Sequence, residues 1–248
     1  MIILKSEREI ELIRESGRIC ARAFQSAEKL IKPGVELKHI EGRIADFILR
    51  SGATPAFKGY RGFPGAVCIS VNDGVVHGIP DERVLMGGDI VSIDIGVSKS
   101  GYYSDAAKTF PVGNISSAAE KLIKVTEEAL YKGIVRAVEG NRLSDISWAI
   151  QSHVEKHGFS VVRELAGHGI GSALHEAPNI PNFGPAGTGP VLREGMVFAI
   201  EPMVNAGSPE TVTLPDGWTV KSRDGSLSAH FEHTVWVRKE EPLILTLP

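Results

Sequence analysis

The order of the secondary-structure signals constrains the fold most strongly, because the same order occurs in both halves of the chain. Two helix patterns precede strand-like segments in the first half, and from about residue 116 the order helix, helix, strands returns. Capping boxes at Ser6 and Ser117, each followed by a glutamate three residues later, mark a helix start in each half. We therefore predict an α+β fold with internal two-fold pseudosymmetry, in which one curved antiparallel sheet is covered by helices on one face.

The two pseudo-symmetric halves cover about residues 1–113 and 114–248, and we interpret them as parts of one domain, 1–248. The predicted strands outside the central hairpin are 67–71, 159–164, 196–204, 211–220 and 228–238. Two separate domains are the alternative. The segment 111–117, where a boundary would fall, does not have the Pro/Ser-rich or charged composition of a linker.

The bulk composition is typical of a soluble globular protein, with 42% hydrophobic and 23% charged residues. A net charge of -3 without a dense Lys/Arg run gives no footprint for nucleic acid or for an anionic membrane surface. The N-terminus lacks a signal peptide's apolar region, and no stretch of about 18 apolar residues occurs. Cys20 and Cys68 belong to no C-x-x-C pair, which favours buried thiols in a reducing compartment. We expect a cytoplasmic protein.

Two aspartates mark the predicted hairpin in the middle of the first half. Asp94 and Asp105 lie symmetrically about the turn segment 98–101, so we expect them to face each other directly across the two strands. Side chains in that position are about 5 Å apart, where two ionised carboxylates repel. A cation between them would make the arrangement favourable. The alternative is a bulge that turns the pair toward water.

Three further polar residues interrupt apolar, strand-like or Gly-rich sequence in the second half: His168, Glu201 and Glu232. Each one alone also fits a solvent-facing strand position. With the two aspartates they form a set of four carboxylates and one imidazole, whose charge two divalent cations would cancel. Such an oxygen-rich set favours Mn, Fe or Co over a structural zinc, which recruits Cys and more His.

Two histidines, His77 and His175, each neighbour Gly or Pro and are predicted on tight loops, where functional groups concentrate. A solvated loop histidine is the alternative for each. His233 follows Glu232 directly, so it should point to the opposite face of the sheet and have a structural role.

Six motifs, in this order and spacing, closely resemble type I methionine aminopeptidases: CISVNDGVVHGIP, GDIVSIDIG, YYSDAAKTF, GHGIG-x-x-LHE-x-P, GMVFAIEPM and HFEHTV. The resemblance covers essentially the whole chain. It implies the pita-bread fold and a single catalytic domain. Because the sequence has no cysteine-rich N-terminal zinc region and no large helical insertion between Glu201 and Glu232, it resembles the minimal bacterial members.

The resemblance also implies a role for each candidate residue. The ligands of two divalent metal ions would be Asp94, Asp105, His168, Glu201 and Glu232, with Asp105 and Glu232 bridging. A metal-bridged hydroxide would attack the first peptide carbonyl, and Glu201 would shuttle the proton to the leaving amine. His77 would contact the substrate near the scissile nitrogen, and His175 would stabilise the developing oxyanion.

Five positions match the family's pocket for the methionine side chain: Tyr60, Phe63, Cys68, Leu174 and Trp218. Other family members can carry tyrosine and phenylalanine at Phe63 and Leu174, so the width or polarity of this pocket could differ. Without the resemblance, Phe63 and Cys68 also fit ordinary core positions.

The implied activity is removal of the initiator methionine from nascent polypeptides when the second residue is small, by a monomer that contacts the ribosome transiently. A proline-directed aminopeptidase of the same fold is the nearest alternative. Such relatives usually carry a large additional N-terminal domain, whereas the matching sequence here begins near the first residue. A non-enzymatic binding paralogue is the second alternative, although such proteins typically lose metal ligands.

Overall fold

The computed structural model describes residues 2–248, and within them it contains four α-helices. These are α1 (Glu7–Glu28), α2 (Leu37–Arg50), α3 (Ser117–Ile134) and α4 (Leu143–Lys156). The strands of the first half are β1 (Thr54–Pro55), β2 (Cys68–Val71), β3 (Gly74–Val76), β4 (Ile90–Lys99) and β5 (Tyr102–Pro111). Among the described residues, none of the helices combines the length and apolar character that a membrane span requires.

The second half contributes shorter strands to the fold. They are β6 (Ser160–Val161), β7 (Ala166–Gly169), β8 (Glu176–Pro181), β9 (Val197–Ile200), β10 (Met203–Asn205), β11 (Thr211–Thr213), β12 (Val220–Ser222), β13 (Ser228–His230), β14 (His233–Trp236) and β15 (Leu243–Ile244). The order helix, helix, strands thus occurs twice, as the sequence predicts.

The helix starts follow the capping signals closely. Ser6 accepts a hydrogen bond from the backbone N–H of Glu9, whose carboxylate accepts one from the N–H of Ser6, so the first capping box is confirmed. In α3 the capping residue is Ser116 instead of the predicted Ser117. Ser116 has the extended backbone of an N-cap, and its Oγ accepts from the N–H of Ala119 at 3.2 Å.

The pairings between the named strands are antiparallel and form four hydrogen-bonded groups. In the first half β4 pairs with β5 on one edge and with β1 and β2 on the other. The largest group of the second half has the order β15-β14-β9-β7-β8. An isolated bridge between Ala107 and Glu232 connects the two halves through hydrogen bonds of 2.9 and 3.3 Å. The long central hairpin is therefore continuous with the strands of the second half.

Two predicted strands are interrupted in the structure. The segment 196–204 divides into β9 and β10 at Glu201-Pro202, where proline cannot donate a ladder hydrogen bond. The segment 228–238 divides into β13 and β14 at Phe231-Glu232. Both interruptions place a glutamate at the end of a strand.

Each helix pair buries one apolar face against strands. On α2, Ile40, Ile44 and Ile48 are fully buried in the apolar cluster that covers the central hairpin. On α4, Ile146 and Ile150 are fully buried in the apolar cluster that includes strand residues of the second half. The helices therefore cover one face of the sheet and leave the concave face for polar residues. The assignment of residues 1–248 to one domain with two pseudo-symmetric halves remains a prediction.

Candidate active site

The central hairpin has a different register from the predicted one. Gly96 pairs with Asp105, Asp94 pairs with Ala107, and the turn consists of two residues, Ser100 and Gly101, with φ of 52° and 80°. Two left-handed residues form the turn type that matches the twist of paired strands, which fixes this register. Asp94 and Asp105 are therefore diagonal neighbours and not directly opposed. Because the offset is two residues, both still point to the same face.

Strand register also brings the other candidate ligands to that face. Glu232 is bridged to Ala107, the residue that pairs with Asp94, so Asp94 and Glu232 lie in one row across the sheet. Thr234, Ala199 and His168 form the next row. Side chains alternate along a strand. Glu201 is two residues from Ala199, and Glu232 is two residues from Thr234, so both glutamates point to the same face as this row.

The twelve residues singled out from the sequence all line one pocket. They are Tyr60, Phe63, Cys68, His77, Asp94, Asp105, His168, Leu174, His175, Glu201, Trp218 and Glu232. Including its opening to solvent, the pocket has a volume of about 640 Å³.

The polar floor of the pocket is compact and buried. Asp105, His168 and Glu232 each offer a donor atom within 4.8 Å of the others, and Nε2 of His168 lies 3.6 Å from Oε1 of Glu201. Asp105 is 4% exposed and Glu232 is 2% exposed. One oxygen on each of these carboxylates, and Oδ1 of Asp94, accepts no hydrogen bond from the described residues. Buried carboxylate oxygens left without donors fit a divalent cation well.

Burial also changes the acidity of the four carboxyl groups. Desolvation raises the pKa of Asp94 to about 7. It raises the pKa values of Asp105, Glu201 and Glu232 well above their usual range, and repulsion between the neighbouring carboxylates adds to the effect. Cations at this site would therefore compete with protons for the same oxygens.

His168 has the tautomer that a metal ligand needs. Its Nδ1 lies 2.9 Å from the carbonyl oxygen of Gly169. Because a carbonyl only accepts, Nδ1 carries the proton and Nε2 keeps its lone pair for the carboxylate cluster. Burial lowers the pKa of His168 to about 4, so the ring is neutral at pH 7.

The other two predicted histidines lie on either side of the cluster. His77 has a left-handed backbone, with φ of 57°, and its ring meets Trp218 edge-on at 6.2 Å between centroids. Such a conformation is uncommon for a residue with a side chain, and it sets the direction of the Cα–Cβ bond. The ring of His175 lies between those of Tyr60, 5.3 Å away and nearly parallel, and His168, 4.0 Å away. Desolvation lowers the pKa of both His77 and His175.

The apolar wall consists of the five positions expected to line a side-chain pocket. Phe63 and Trp218 pack edge to face, with centroids 5.2 Å apart. Phe63, Cys68 and Leu174 are buried. Cys68 pairs with Asp94 across strands β2 and β4, so the apolar wall begins directly beside the carboxylate cluster.

Several residues at this site were not identified from the sequence. Phe57, Arg61 and Val76 also line the pocket, and His230 is buried with Nε2 at 3.8 Å from Oε2 of Glu201. His230 precedes Glu232 by two residues, and this spacing could have indicated a shared face. His233 turns away from the pocket as expected, and its Nδ1 lies 2.8 Å from Oγ1 of Thr246.

The fold and this carboxylate-rich site define a metallopeptidase. A family model described as Metallopeptidase family M24 matches residues 11–239, and the chain belongs to this family. The family expected from the sequence motifs is thus confirmed.

Particular relatives agree with this assignment. The chain is 54% identical to the methionine aminopeptidase of Clostridium perfringens over 247 residues, which cover 100% of this chain and 99% of the relative. It superimposes on the crystal structure of the methionine aminopeptidase from Thermotoga maritima with a TM-score of 0.99 at 44% identity, covering 100% of both chains. This likeness confirms the expected pita-bread fold.

A more distant likeness shows the fold alone. The prolidase from Pyrococcus furiosus aligns with a TM-score of 0.80 at 24% identity, and the alignment covers 99% of this chain and 66% of that chain.

Proposed function

We propose that this chain is a metal-dependent aminopeptidase that hydrolyses the first peptide bond of nascent proteins and removes the initiator methionine when the second residue is small. One observation carries the proposal: a cluster of four carboxylates and a neutral imidazole adjoins, in the same pocket, an apolar wall that suits an unbranched thioether side chain. The names of the two relatives that match over their full length, both methionine aminopeptidases, support it.

Five residues would hold the cofactor, two divalent metal ions: Asp94, Asp105, His168, Glu201 and Glu232. Asp94, Asp105 and Glu232 each have a buried oxygen to which no described residue donates a hydrogen bond, which fits their role as ligands. When bound, the ions supply an activated water and polarise the scissile carbonyl. The oxygen-rich donor set supports Mn²⁺, Co²⁺ or Fe²⁺.

Three side chains would then transfer the proton, stabilise the developing negative charge and hold the substrate. Glu201 has a desolvated carboxyl group beside the cluster, which suits it to take the proton of the attacking water and give it to the leaving amine. His175 would donate a hydrogen bond to the carbonyl oxygen as negative charge develops there. His77 would hold the substrate near the scissile nitrogen, because its ring lines the pocket beside Trp218.

Specificity would come from the apolar wall. Phe63 and Trp218 enclose an apolar space beside Cys68 and Leu174, and Tyr60 closes it toward His175. Thioether sulfur makes favourable contacts with aromatic rings at about 5 Å. A β-branched or charged first residue would fit this space poorly.

The proposed setting follows from the proposed substrate. Nascent chains are made in the cytoplasm, so we place the protein there as a monomer that meets the ribosome transiently, with no nucleic-acid or membrane partner required for the reaction. Sedimentation with ribosomes at low salt tests this part of the proposal. Protein that stays entirely in the supernatant would count against ribosome contact.

The activity is tested with three peptides and metal-stripped protein. Release of the first amino acid from Met-Ala-Ser, Leu-Ala-Ser and Ala-Pro-Ser is measured under anaerobic conditions while Mn²⁺, Co²⁺ or Fe²⁺ is added. Metal-dependent release from Met-Ala-Ser alone is the expected result. Release from Ala-Pro-Ser would instead indicate a proline-directed enzyme of the same fold. No release with any metal would favour a binding protein.

A further inference from the structure

The opening of the pocket is marked by two exposed residues, Arg61 and His175, whereas the other residues that line it are buried or half-buried. A peptide whose first side chain occupies the apolar wall must continue toward solvent beside these two residues. The chemistry of Arg61 can therefore act on the part of the substrate beyond the cleaved bond.

A stack of side chains connects Arg61 with the candidate catalytic residues. Its guanidinium lies 5.4 Å from the centroid of the Tyr60 ring, and that ring lies against His175 at an interplanar angle of 11°. Arginine stacks favourably on aromatic rings, which orders a long side chain that would otherwise be mobile. Both the guanidinium and the imidazole of His175 therefore lie next to the Tyr60 ring.

The backbone also fixes the position of Arg61. The residue has φ of 48°, in the left-handed region, inside the turn Tyr60–Gly62. The N–H of Gly62 donates to the carbonyl of Gly59 at 3.1 Å, and the N–H of Phe63 donates to that of Tyr60 at 2.9 Å. A non-glycine residue in this conformation is uncommon and is maintained where the surrounding structure holds it.

The charge of Arg61 is available to a ligand. Within residues 2–248, no carboxylate oxygen lies within 4.0 Å of its guanidinium nitrogens. The carboxylates of the pocket floor would be neutralised by the cations that they hold. Among the described lining residues, Arg61 is then the one with a permanent positive charge.

We propose that Arg61 is a specificity determinant that selects substrates with a carboxylate two or three residues beyond the cleaved bond. This inference rests on the proposed function. An extended peptide advances about 3.3 Å per residue, so the third and fourth residues lie about 7–10 Å beyond the first. They lie toward the pocket opening, where Arg61 is exposed. The carboxylate can belong to an acidic side chain or to the C-terminus of a short peptide.

The experiment compares kcat/KM for Met-Ala-Glu-Ser-NH₂, Met-Ala-Gln-Ser-NH₂ and Met-Ala-Lys-Ser-NH₂ with metal-loaded protein at low and high salt. Amidation removes the terminal carboxylate, and Met-Ala-Gln-Ser with a free C-terminus tests that source separately. The variant Arg61→Asn removes the charge with a residue that tolerates left-handed backbone, and Arg61→Lys keeps the charge. Arg163→Asn is the matched control, because Arg163 lies at the same 5.4 Å from an aromatic ring, that of Phe183.

In the unaltered protein we expect the Glu peptide to exceed the Lys peptide in kcat/KM by about three- to tenfold at low salt, with a smaller ratio at high salt. The ratio should approach one in Arg61→Asn, persist in part in Arg61→Lys, and stay unchanged in Arg163→Asn. A Glu to Lys ratio near one in the unaltered protein, or a ratio in Arg61→Asn equal to that of the unaltered protein, would overturn the inference. Normal cleavage of the Gln peptide in the same experiment would still uphold the proposed function. No methionine release from any peptide would reject both.

Discussion

The imidazole rings of His168 and His175 lie 4.0 Å apart between centroids, with 30° between their planes. His168 belongs to the carboxylate cluster, whereas His175 lies at the opening of the pocket and also contacts the Tyr60 ring. The two histidines therefore hold each other in place although only one of them faces the candidate metal ligands. This arrangement gives the two residues separable roles.

Replacement of His175 by alanine should lower kcat for Met-Ala-Ser by about 10²–10³-fold, as the loss of an oxyanion donor does elsewhere. Metal content should remain that of the unaltered protein. Mass spectrometry of the metal content and initial rates on the same samples provide the test. The exposed His39 on α2 supplies the control variant, His39→Ala, which should change neither quantity. Parallel loss of metal and activity in His175→Ala would make His175 a ligand.

The metal-free protein should become less stable as the pH rises from about 7 to 8.5. The folded-state pKa of Asp94 is about 7, and those of Asp105, Glu201 and Glu232 are raised well above their usual range. Up to its folded-state pKa, each group binds more protons in the folded than in the unfolded state, so stability declines as the pH rises. Asp94 contributes to this decline up to about pH 7, and the other three groups contribute above it. The buried histidines have lowered pKa values and act in the opposite direction, but only below their unfolded-state value of about 6.5.

Thermal unfolding at pH 7, 7.75 and 8.5, with and without Mn²⁺, measures this effect. The Tm of metal-free protein should fall from pH 7 to pH 8.5. The increase in Tm caused by Mn²⁺ should become larger over the same series, because the cation replaces the protons on the carboxylates. A Tm of metal-free protein that rises with pH would show that the four carboxyl groups are not desolvated together.

Two helical glycines should respond in opposite directions to alanine. On α1, a Cβ at Gly17 would overlap the backbone carbonyl of Leu245, so Gly17→Ala should lower the free energy of unfolding by about 1–3 kcal/mol. On α2, a Cβ at Gly42 would lie in open space, and Gly42→Ala should raise the free energy of unfolding by about 0.5–1 kcal/mol. Urea unfolding of both variants is the measurement, and equal effects would contradict the close contact between α1 and the C-terminal segment.

Truncation of Leu174 to alanine should widen the apolar pocket. We expect kcat/KM for Met-Ala-Ser to fall by about tenfold and that for Phe-Ala-Ser to rise relative to it, since a few methylene groups are worth about 1–3 kcal/mol in such pockets. The exposed Leu49 gives the control variant Leu49→Ala, with no expected change in the Met to Phe ratio. An unchanged ratio in Leu174→Ala would remove Leu174 from the specificity pocket.

Much of the site was predictable because side chains alternate along a strand. The sequence correctly indicated that Asp94 and Asp105 share a face, although the predicted register was two residues off. That error arose because the position of the two-residue turn depends on the left-handed backbone of Ser100 and Gly101, for which only the glycine gave a signal. An error of one residue would have put the two carboxylates on opposite faces.

The remaining features depend on contacts between distant parts of the chain. The strand break at Glu232 forms where the two halves meet at Ala107, and periodicity within one segment does not contain that information. His230 was missed because its importance comes from Glu201, 29 positions earlier in the sequence and only 3.8 Å from its Nε2. Arg61 was missed because its stacking on Tyr60 and its exposure at the pocket opening are properties of the folded chain.

The most direct test of the central claim is a titration of metal-stripped protein with Mn²⁺, in which bound metal and methionine release from Met-Ala-Ser are measured together. Activity should appear with the metal and reach its maximum by two equivalents. Asp105→Asn should lose both metal and activity, whereas Asp46→Asn, a change at an exposed position of α2, should behave as the unaltered protein does. Full methionine release without metal, or metal and activity both retained in Asp105→Asn, would contradict the account.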